Sequence, residues 1–212
     1  MSIRAQLSVE KFNASGGERG ASLDYIGEPL NNREWLLKRF AALKTAGAEQ
    51  AKLDGLQAIL SWEDPGPGGF YDDLGHIGRQ PHLVRGPGWE KDPGYVESSQ
   101  CEFSWMSYLD GRLSWRDQAQ TLYETPLRLH YDGLDPDAQY VLRVVYAGRF
   151  RATMTLEANG VQVHGPLGQL NPIAPQEFSI PRQATSSGVL DLAWHRVTGR
   201  GCQVAEVWLI KR

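Results

Sequence analysis

The stretch Val204-Ala-Glu-Val-Trp-Leu-Ile-Lys211, close to the end of the chain, is the most informative for the fold class. Its β-branched and aromatic residues are typical of a β-strand. Similar apolar stretches precede it, separated by Gly, Pro, Asn or Asp. They are Leu127–Tyr131, Tyr140–Ala147, Ala152–Leu156, Glu177–Ile180 and Val189–Trp194. Short strands at this spacing predict a mainly β fold, an antiparallel β-sandwich.

Apolar residues recur at every second position of these strands, the period at which side chains reach the same face of a sheet. The positions predicted to lie in the core are Leu142, Val144, Tyr146, Leu190, Leu192, Val207 and Leu209. Gly165-Pro166, between two of the strands, is interpreted as part of a turn.

Length and charge limit the classes of protein that fit the chain. Its 212 residues correspond to one large domain, or to one domain with an appendage. The net charge is −3 and no block of Lys and Arg occurs, so the sequence predicts no nucleic-acid partner. No apolar run approaches the roughly 20 residues of a membrane-spanning helix. The seven tryptophans and 23 glycines suit rigid loops that display aromatic faces.

The first residues and the cysteines leave the compartment open. Met1 to Ser8 contain no apolar segment, so no signal peptide is expected. A mature fragment of a secreted protein would look the same, which keeps an extracytoplasmic location open. Cys101 and Cys202 have no metal-binding or redox spacing. They form either a disulfide in an oxidising compartment or two small buried side chains.

The region before the strands predicts a helical hairpin. Apolar residues recur at helical spacing in two segments, about 32–46 and about 48–60. The residues expected to face inward are Leu36, Phe40, Leu43, Leu56 and Ile59. The sequence thus divides into an N-terminal segment with a helical hairpin, 1–61, and a β-sandwich domain with long Pro/Gly-rich loops, 62–212.

The stretch 62–95 differs from both. Pro and Gly recur every few residues and exclude a helix. Loops of this length are usually functional or disordered, and the many aromatic residues here favour order. We therefore expect an ordered functional loop system.

From Thr121 to Arg212 the chain resembles the galactose-binding-domain-like jelly rolls, which include discoidin-type, malectin-like and several carbohydrate-binding modules. The matching segments are Tyr140–Ala147, the Asn159-Gly160 turn, Phe178–Pro181, Gly188–Trp194 and Val204–Ile210. In those families an acidic residue recurs before the last apolar run of the closing strand, which is the position of Glu206. The resemblance implies a jelly roll and supports a fold better than a function.

The loop system supplies a candidate ligand-binding site. Sugar rings need flat aromatic side chains for their C–H faces, and charged or imidazole groups for their hydroxyls. The candidate residues are Trp62, Tyr71, Asp72, Asp73, His76, Arg79, His82 and Trp89. The alternative is that these aromatics close one end of the sandwich and that the acids cap turns.

A structural calcium ion is a second expectation. Asp64, Asp73 and Glu206 offer the oxygen ligands that Ca²⁺ prefers, although their spacing is not that of an EF-hand. Structural calcium is common in the jelly rolls that the chain resembles. For Glu206 the alternative is a hydrogen-bonded polar group at a sheet edge.

Three functions are compatible with these residues. The first is a non-catalytic carbohydrate-binding module, an accessory or C-terminal part of a larger glycan-processing protein with an upstream catalytic domain. The second is a polysaccharide lyase or glycoside hydrolase using Asp72, Asp73, His76 and His82. The third is a structural domain that buttresses a catalytic neighbour. The sequence contains no HExxH, GxSxG, P-loop or GxGxxG motif.

Overall fold

The computed structural model describes residues 33–75, 77–85, 100–103, 112–115, 117–148 and 151–212. Two helices, α1 (Arg33–Thr45) and α2 (Glu49–Leu60), come first. The strands are β1 (Phe70–Asp73), β2 (Gln100–Phe103), β3 (Asp117–Gln120), β4 (Leu127–Tyr131), β5 (Tyr140–Val145), β6 (Thr153–Ala158), β7 (Val161–Gly168), β8 (Gln176–Ser179), β9 (Leu190–Thr198), β10 (Gln203–Val204) and β11 (Glu206–Lys211). Short helical turns cover Ile77–Arg79, Leu113–Trp115 and α3 (Arg182–Thr185). None of the helices in these ranges has the length and apolarity to cross a membrane.

The strands form two four-stranded antiparallel sheets and a smaller third sheet. The first has the order β1-β11-β5-β8 and the second β4-β9-β6-β7, while the third joins β10, β3 and β2. Leu142 of the first sheet and Leu129 and Leu192 of the second are fully buried in one core. The predicted fold class is confirmed: the protein is a mainly β, antiparallel β-sandwich jelly roll with an N-terminal helical hairpin.

The alternating pattern predicted the core correctly. All seven residues named from the sequence are buried, among them Val144, Leu192 and Val207. Strand β4 also has the bounds that the sequence predicted. Burial of alternate positions, as along β6 and β9, is what a sandwich strand with one face on the core requires.

Strands β7 and β1 run through residues that the sequence predicted to be turn or loop. The predicted turn at Gly165-Pro166 is wrong, because β7 runs through both residues. Strand β7 lies at an edge of its sheet, where a proline N–H is not needed for the ladder. Strand β1 lies inside the stretch expected to be loop, and pairs with β11.

The hairpin has the predicted helices and part of the predicted inward faces, since Leu36, Leu43 and Ile59 are partly buried. Phe40 and Leu56 are exposed, so their expected inward position is wrong. The helices meet where Leu43 lies against Gly55, whose missing side chain makes room for it. Trp35 is buried instead, with its ring centroid 5.3 Å from that of Trp62. The hairpin therefore docks through Trp35, with Arg39 stacked on the Trp35 and Trp62 rings, rather than through its apolar stripe.

Cys202 is a free thiol in the interior. Its Sγ donates to the carbonyl oxygen of Trp194 at 3.2 Å. Burial raises the pKa of this thiol. For Cys202 the alternative of a small buried side chain therefore holds.

Candidate functional site

Strand β1 carries three of the predicted site residues and divides them between two faces. It pairs with β11 so that Tyr71 lies beside Trp208. Successive side chains of a strand point to opposite faces. Asp72 accordingly faces the second sheet, where the Tyr131 hydroxyl donates to it at 3.0 Å. Tyr71 and Asp73 lie on the outer face of the first sheet.

Five aromatic rings pack on this outer face, and we call them the Trp62 cluster: Trp35, Trp62, Tyr71, Trp115 and Trp208. The Trp62 centroid lies 5.3, 6.2 and 5.8 Å from those of Trp35, Trp115 and Trp208. Edge-to-face and tilted pairs at these distances are favourable for aromatic rings. The Trp208 indole also donates to the backbone oxygen of Trp62 at 2.8 Å. The cluster is thus a fixed platform.

Arg112 lies inside this platform and is only 4% exposed. Its guanidinium carbon is 5.0 Å from the ring centroids of both Trp35 and Trp62. Nη2 lies 3.0 Å from Glu63 Oε1, and Nε lies 3.4 Å from Glu206 Oε1. The planar guanidinium suits such a site, because it stacks on aromatic faces while it pairs with carboxylates in its plane.

Glu206 is the buried carboxylate of the site. Its Oε1 accepts from the hydroxyls of Tyr71 and Ser114, each at 2.8 Å, and its Oε2 accepts from the Trp115 indole at 2.7 Å. Burial, together with the charge of Glu206, raises the pKa of Tyr71. Strand β11 has neighbours on both sides. The alternative of a hydrogen-bonded group is therefore right, but Glu206 does not lie at a sheet edge.

Arg79 and Glu63 form the part of the site that meets solvent, with side chains 26% and 28% exposed. Both Nη atoms of Arg79 donate to the Glu63 carboxylate. The guanidinium lies over Tyr71, 5.7 Å from its ring centroid, and 4.0 Å from Asp73 Oδ2. Burial alone would lower the pKa of Arg79, but the hydrogen bond to Glu63 raises it above its ordinary value. Arg79 therefore stays charged in a fixed orientation.

Asp72 and His82 form a separate group on the inner face. Asp72 is fully buried and accepts from the His82 backbone N–H at 3.2 Å and from its Nδ1 at 2.9 Å. A bridge between Leu83 and Leu129 holds this segment against β4. The His82 ring stacks on Tyr131 with centroids 4.5 Å apart. Burial, and next the charge of Asp72, raises the pKa of Tyr131.

The structure thus brings together four predicted residues, Trp62, Tyr71, Asp73 and Arg79, and places two others elsewhere. Asp72 positions His82 and does not reach solvent. Asp72 and Asp73 point to opposite faces of β1, so they do not converge on one reacting atom. His76 and Trp89 lie outside the described residues.

The predicted calcium ligands do not converge either. Asp64 is exposed and its Oδ1 accepts from the Gly66 N–H at 2.9 Å, as in a turn. Asp73 and Glu206 are cross-strand neighbours, but Arg112 and three donors already occupy the Glu206 carboxylate. In the described ranges no group of three His, Cys, Asp or Glu side chains is placed to hold a metal ion. These acids do not fit a cation site, and calcium binding stays a prediction.

Several residues of the site were not predicted. They are Trp35, Glu63, Arg112, Ser114, Trp115 and Trp208. Glu63 follows the predicted Trp62 in the sequence, and this adjacency could have identified it as a site residue. Arg112 is 49 positions from Glu63. Only the tertiary structure shows that this pair forms.

Comparisons with known proteins give likenesses of structure only. No family model matches the chain, and no curated protein matches it. The extracellular domain of ANXUR1 from Arabidopsis thaliana is 12% identical over 68% of this chain and 42% of that one, with a TM-score of 0.46. Bacteroides uniformis β-glucuronidase 2 is 12% identical over 68% of this chain and 18% of that one, with a TM-score of 0.44.

A CBM35 domain from Cellvibrio japonicus is 13% identical over 67% of this chain and 92% of that one, with a TM-score of 0.39. The chain therefore spans less than half the length of the first two proteins and nearly all of the third. All three TM-scores are below 0.5. Function is therefore inferred from the contacts within this chain.

Proposed function

We propose that the protein is a non-catalytic carbohydrate-binding module, an accessory part of a larger glycan-processing protein. The observation that carries the proposal is the partly exposed Arg79–Glu63 pair, in which Arg79 lies over Tyr71 and Glu63 follows Trp62 in the chain. A guanidinium and a carboxylate supply donors and acceptors for sugar hydroxyls. The aromatic edges beneath them supply an apolar contact for the ring.

Rigidity is the second support. The Trp62 cluster packs against β11, an inner strand of the first sheet, and Glu206 of that strand accepts hydrogen bonds from Tyr71, Ser114 and Trp115. A site that is already ordered loses little entropy when a ligand binds. Weak ligands such as sugars benefit most from this.

A structural buttress is the second candidate. The observation that favours it is that Arg112 and Glu206 are buried and paired within the chain. Such a network holds α1 on the sandwich whether or not a ligand is bound. The two functions differ in the partly exposed Arg79–Glu63 pair, which a binding module needs for its ligand and a buttress does not.

The test is titration calorimetry against a panel of neutral and acidic plant and bacterial polysaccharides, with calcium and with EDTA. Arg79→Met should weaken binding by about 1–3 kcal/mol, the range of an interface anchor. Arg143→Met is the matched control, because Arg143 pairs with Glu177 and lies 5.9 Å from the Trp208 ring on the same face. We expect Arg143→Met to bind like the wild type.

The next three outcomes would count against the proposal. Release of reducing ends or unsaturated products would support the enzyme. Absence of binding by a folded wild type would support the buttress. Equal losses in both arginine variants would show that the Arg79 edge is not the site. Binding that requires calcium would establish the predicted ion.

A further inference from the structure

The hairpin exposes a row of large apolar side chains, which we call the hairpin stripe. Its members and their exposed fractions are Leu37 (48%), Phe40 (42%), Leu53 (52%), Leu56 (40%) and Leu60 (82%). Apolar residues scattered singly on a surface are ordinary, but contiguous exposed patches mark interaction sites. The stripe holds five of the nine large apolar residues that are exposed in the described part of the chain.

The stripe faces neither the sandwich nor the contact between the helices. Leu43 against Gly55 makes the contact between α1 and α2. Trp35 docks on the sandwich, and Leu37, two residues later, lies about 200° further around the helix. On α2, Leu53, Leu56 and Leu60 have the i, i+3, i+7 spacing of a helix-packing seam.

The hairpin also buries too little apolar surface to explain the stability of its helices. None of the 12 residues of α2, all of which the structure describes, is buried. Isolated helices shorter than about 12–15 residues are marginal in water, and packing of an apolar face supplies most of their stability. A cover over the stripe would supply that packing.

The charges identify a second copy of this chain as the cover. α1 carries Lys38 and Lys44 besides Arg39, which stacks on the Trp35 and Trp62 rings, and α2 carries Glu49 and Asp54 against Lys52. One helix is thus basic and the other acidic. Lys44 extends the α1 row by one turn, and Glu49 begins the α2 row. A two-fold axis parallel to the helices sets α1 of each copy against α2 of the other, with Lys44 beside the other copy's Glu49.

We propose that the hairpin stripe is a homodimer interface, in which two hairpins form an antiparallel four-helix bundle. The two-fold arrangement covers both rows of the stripe at once. It also pairs the basic helix with the acidic one twice. This interface is independent of the Arg79–Glu63 edge.

Sedimentation equilibrium of the full chain tests the dimer, from about 1 to about 200 µM, which spans tight to weak association. We expect the mass to approach twice the 23.7 kDa of one chain. Leu56→Lys should return it to that of the monomer. Val197→Lys is the matched control, because Val197 is 44% exposed on β9 of the second sheet whereas the hairpin docks on the first, and it should still dimerise.

A charge exchange tests the two-fold arrangement. Lys44→Glu and Glu49→Lys should each weaken the dimer by about fivefold through like-charge contacts, and the double variant should restore it. A wild type that stays monomeric at every concentration overturns the proposal, as does a dimer that Leu56→Lys leaves intact. A double variant no tighter than the singles overturns it too. Capture of another protein by a monomeric wild type counts as the same failure.

Discussion

The β-sandwich and the helical hairpin follow equally clear apolar patterns, yet they bury them very differently. Leu129, Leu142 and Leu192 are fully buried between the two large sheets. In the hairpin, Phe40 and Leu56 are exposed, although their apolar spacing predicted burial just as clearly. A periodic pattern predicts which residues share a face. It does not predict what covers that face.

The largest expected effect lies in the sandwich core. Leu192→Ala should lower the free energy of unfolding by about 2–4 kcal/mol, through lost burial and a cavity. Leu56→Ala, in protein dilute enough to be monomeric, should change it by no more than about 0.5 kcal/mol, because an exposed side chain loses little contact. Urea denaturation of both variants measures the difference. Similar losses would show that the hairpin is packed as firmly as the sandwich.

The next effect concerns the buried carboxylate of Glu206, which pairs with Arg112, the residue on which Trp35 of the hairpin rests. Glu206→Gln should cost about 3 kcal/mol, because it removes the charge beside Arg112 and gives the donors around it an amide nitrogen. Glu177→Gln is the control, since Glu177 pairs with Arg143 at the surface and should cost under about 0.5 kcal/mol. Denaturant unfolding of both compares them. If Glu206→Gln unfolds like the wild type, the network does not stabilise the fold.

A smaller loss of stability, confined to the hairpin, is expected when its contact with the sandwich is removed. Trp35→Ala removes the ring that rests on Trp62 and Arg112. We expect it to cost about 1–3 kcal/mol at most, as for truncation of an interface anchor. Hydrogen exchange should quicken in α1 and α2 while β4, β5 and β9 keep their protection. Faster exchange throughout the sandwich would mean that the hairpin and the sandwich unfold together.

The smallest effect depends on pH. His164 is buried: its Nδ1–H donates to the Gly165 oxygen at 2.7 Å, and its Nε2 accepts from the Tyr146 hydroxyl at 2.6 Å. Burial lowers the pKa of His164. The unfolded chain then binds the extra proton first, so stability is complete above about pH 6.5 and falls as pH drops below it. His164→Gln, which keeps an acceptor but does not titrate, should flatten this fall.

His130 should have the opposite effect on how stability changes with pH. Its hydrogen bond to Asp191 raises the pKa of this exposed imidazole. Any stability it adds is present below about pH 6.5 and is lost as pH rises through the higher folded pKa. Melting temperatures of His130→Gln and His164→Gln between about pH 5 and 8 should therefore diverge from the wild type in opposite directions. Parallel curves would contradict both assignments.

The sequence predicted the sandwich well because strand periodicity and turn residues act locally. Strand β4 matches its predicted bounds, and the core residues of β5, β9 and β11 are those of the pattern. Strand β1 was missed because Gly and Pro surround it, and because it gains its partner β11 from the far end of the chain. Strand β7 was missed because an edge position tolerates Gly165-Pro166.

The candidate site was predicted only in part. Trp62, Tyr71, Asp73 and Arg79 do meet on one face, as their shared stretch of sequence indicated. Asp72 goes to the other face because side chains alternate along β1. Arg112 and Glu206 could not be assigned to the site from spacing, because distant parts of the chain bring them together.

The buried thiol of Cys202 can report when the sandwich opens. Its sulfur is covered by the core and donates a hydrogen bond to the Trp194 carbonyl oxygen. Its raised pKa keeps the reactive thiolate scarce. An alkylating reagent can therefore modify Cys202 only in molecules whose sandwich has opened. The rate of alkylation at this one peptide, followed by mass spectrometry, would time the opening of the sandwich in native buffer. No residue would have to be introduced for this measurement.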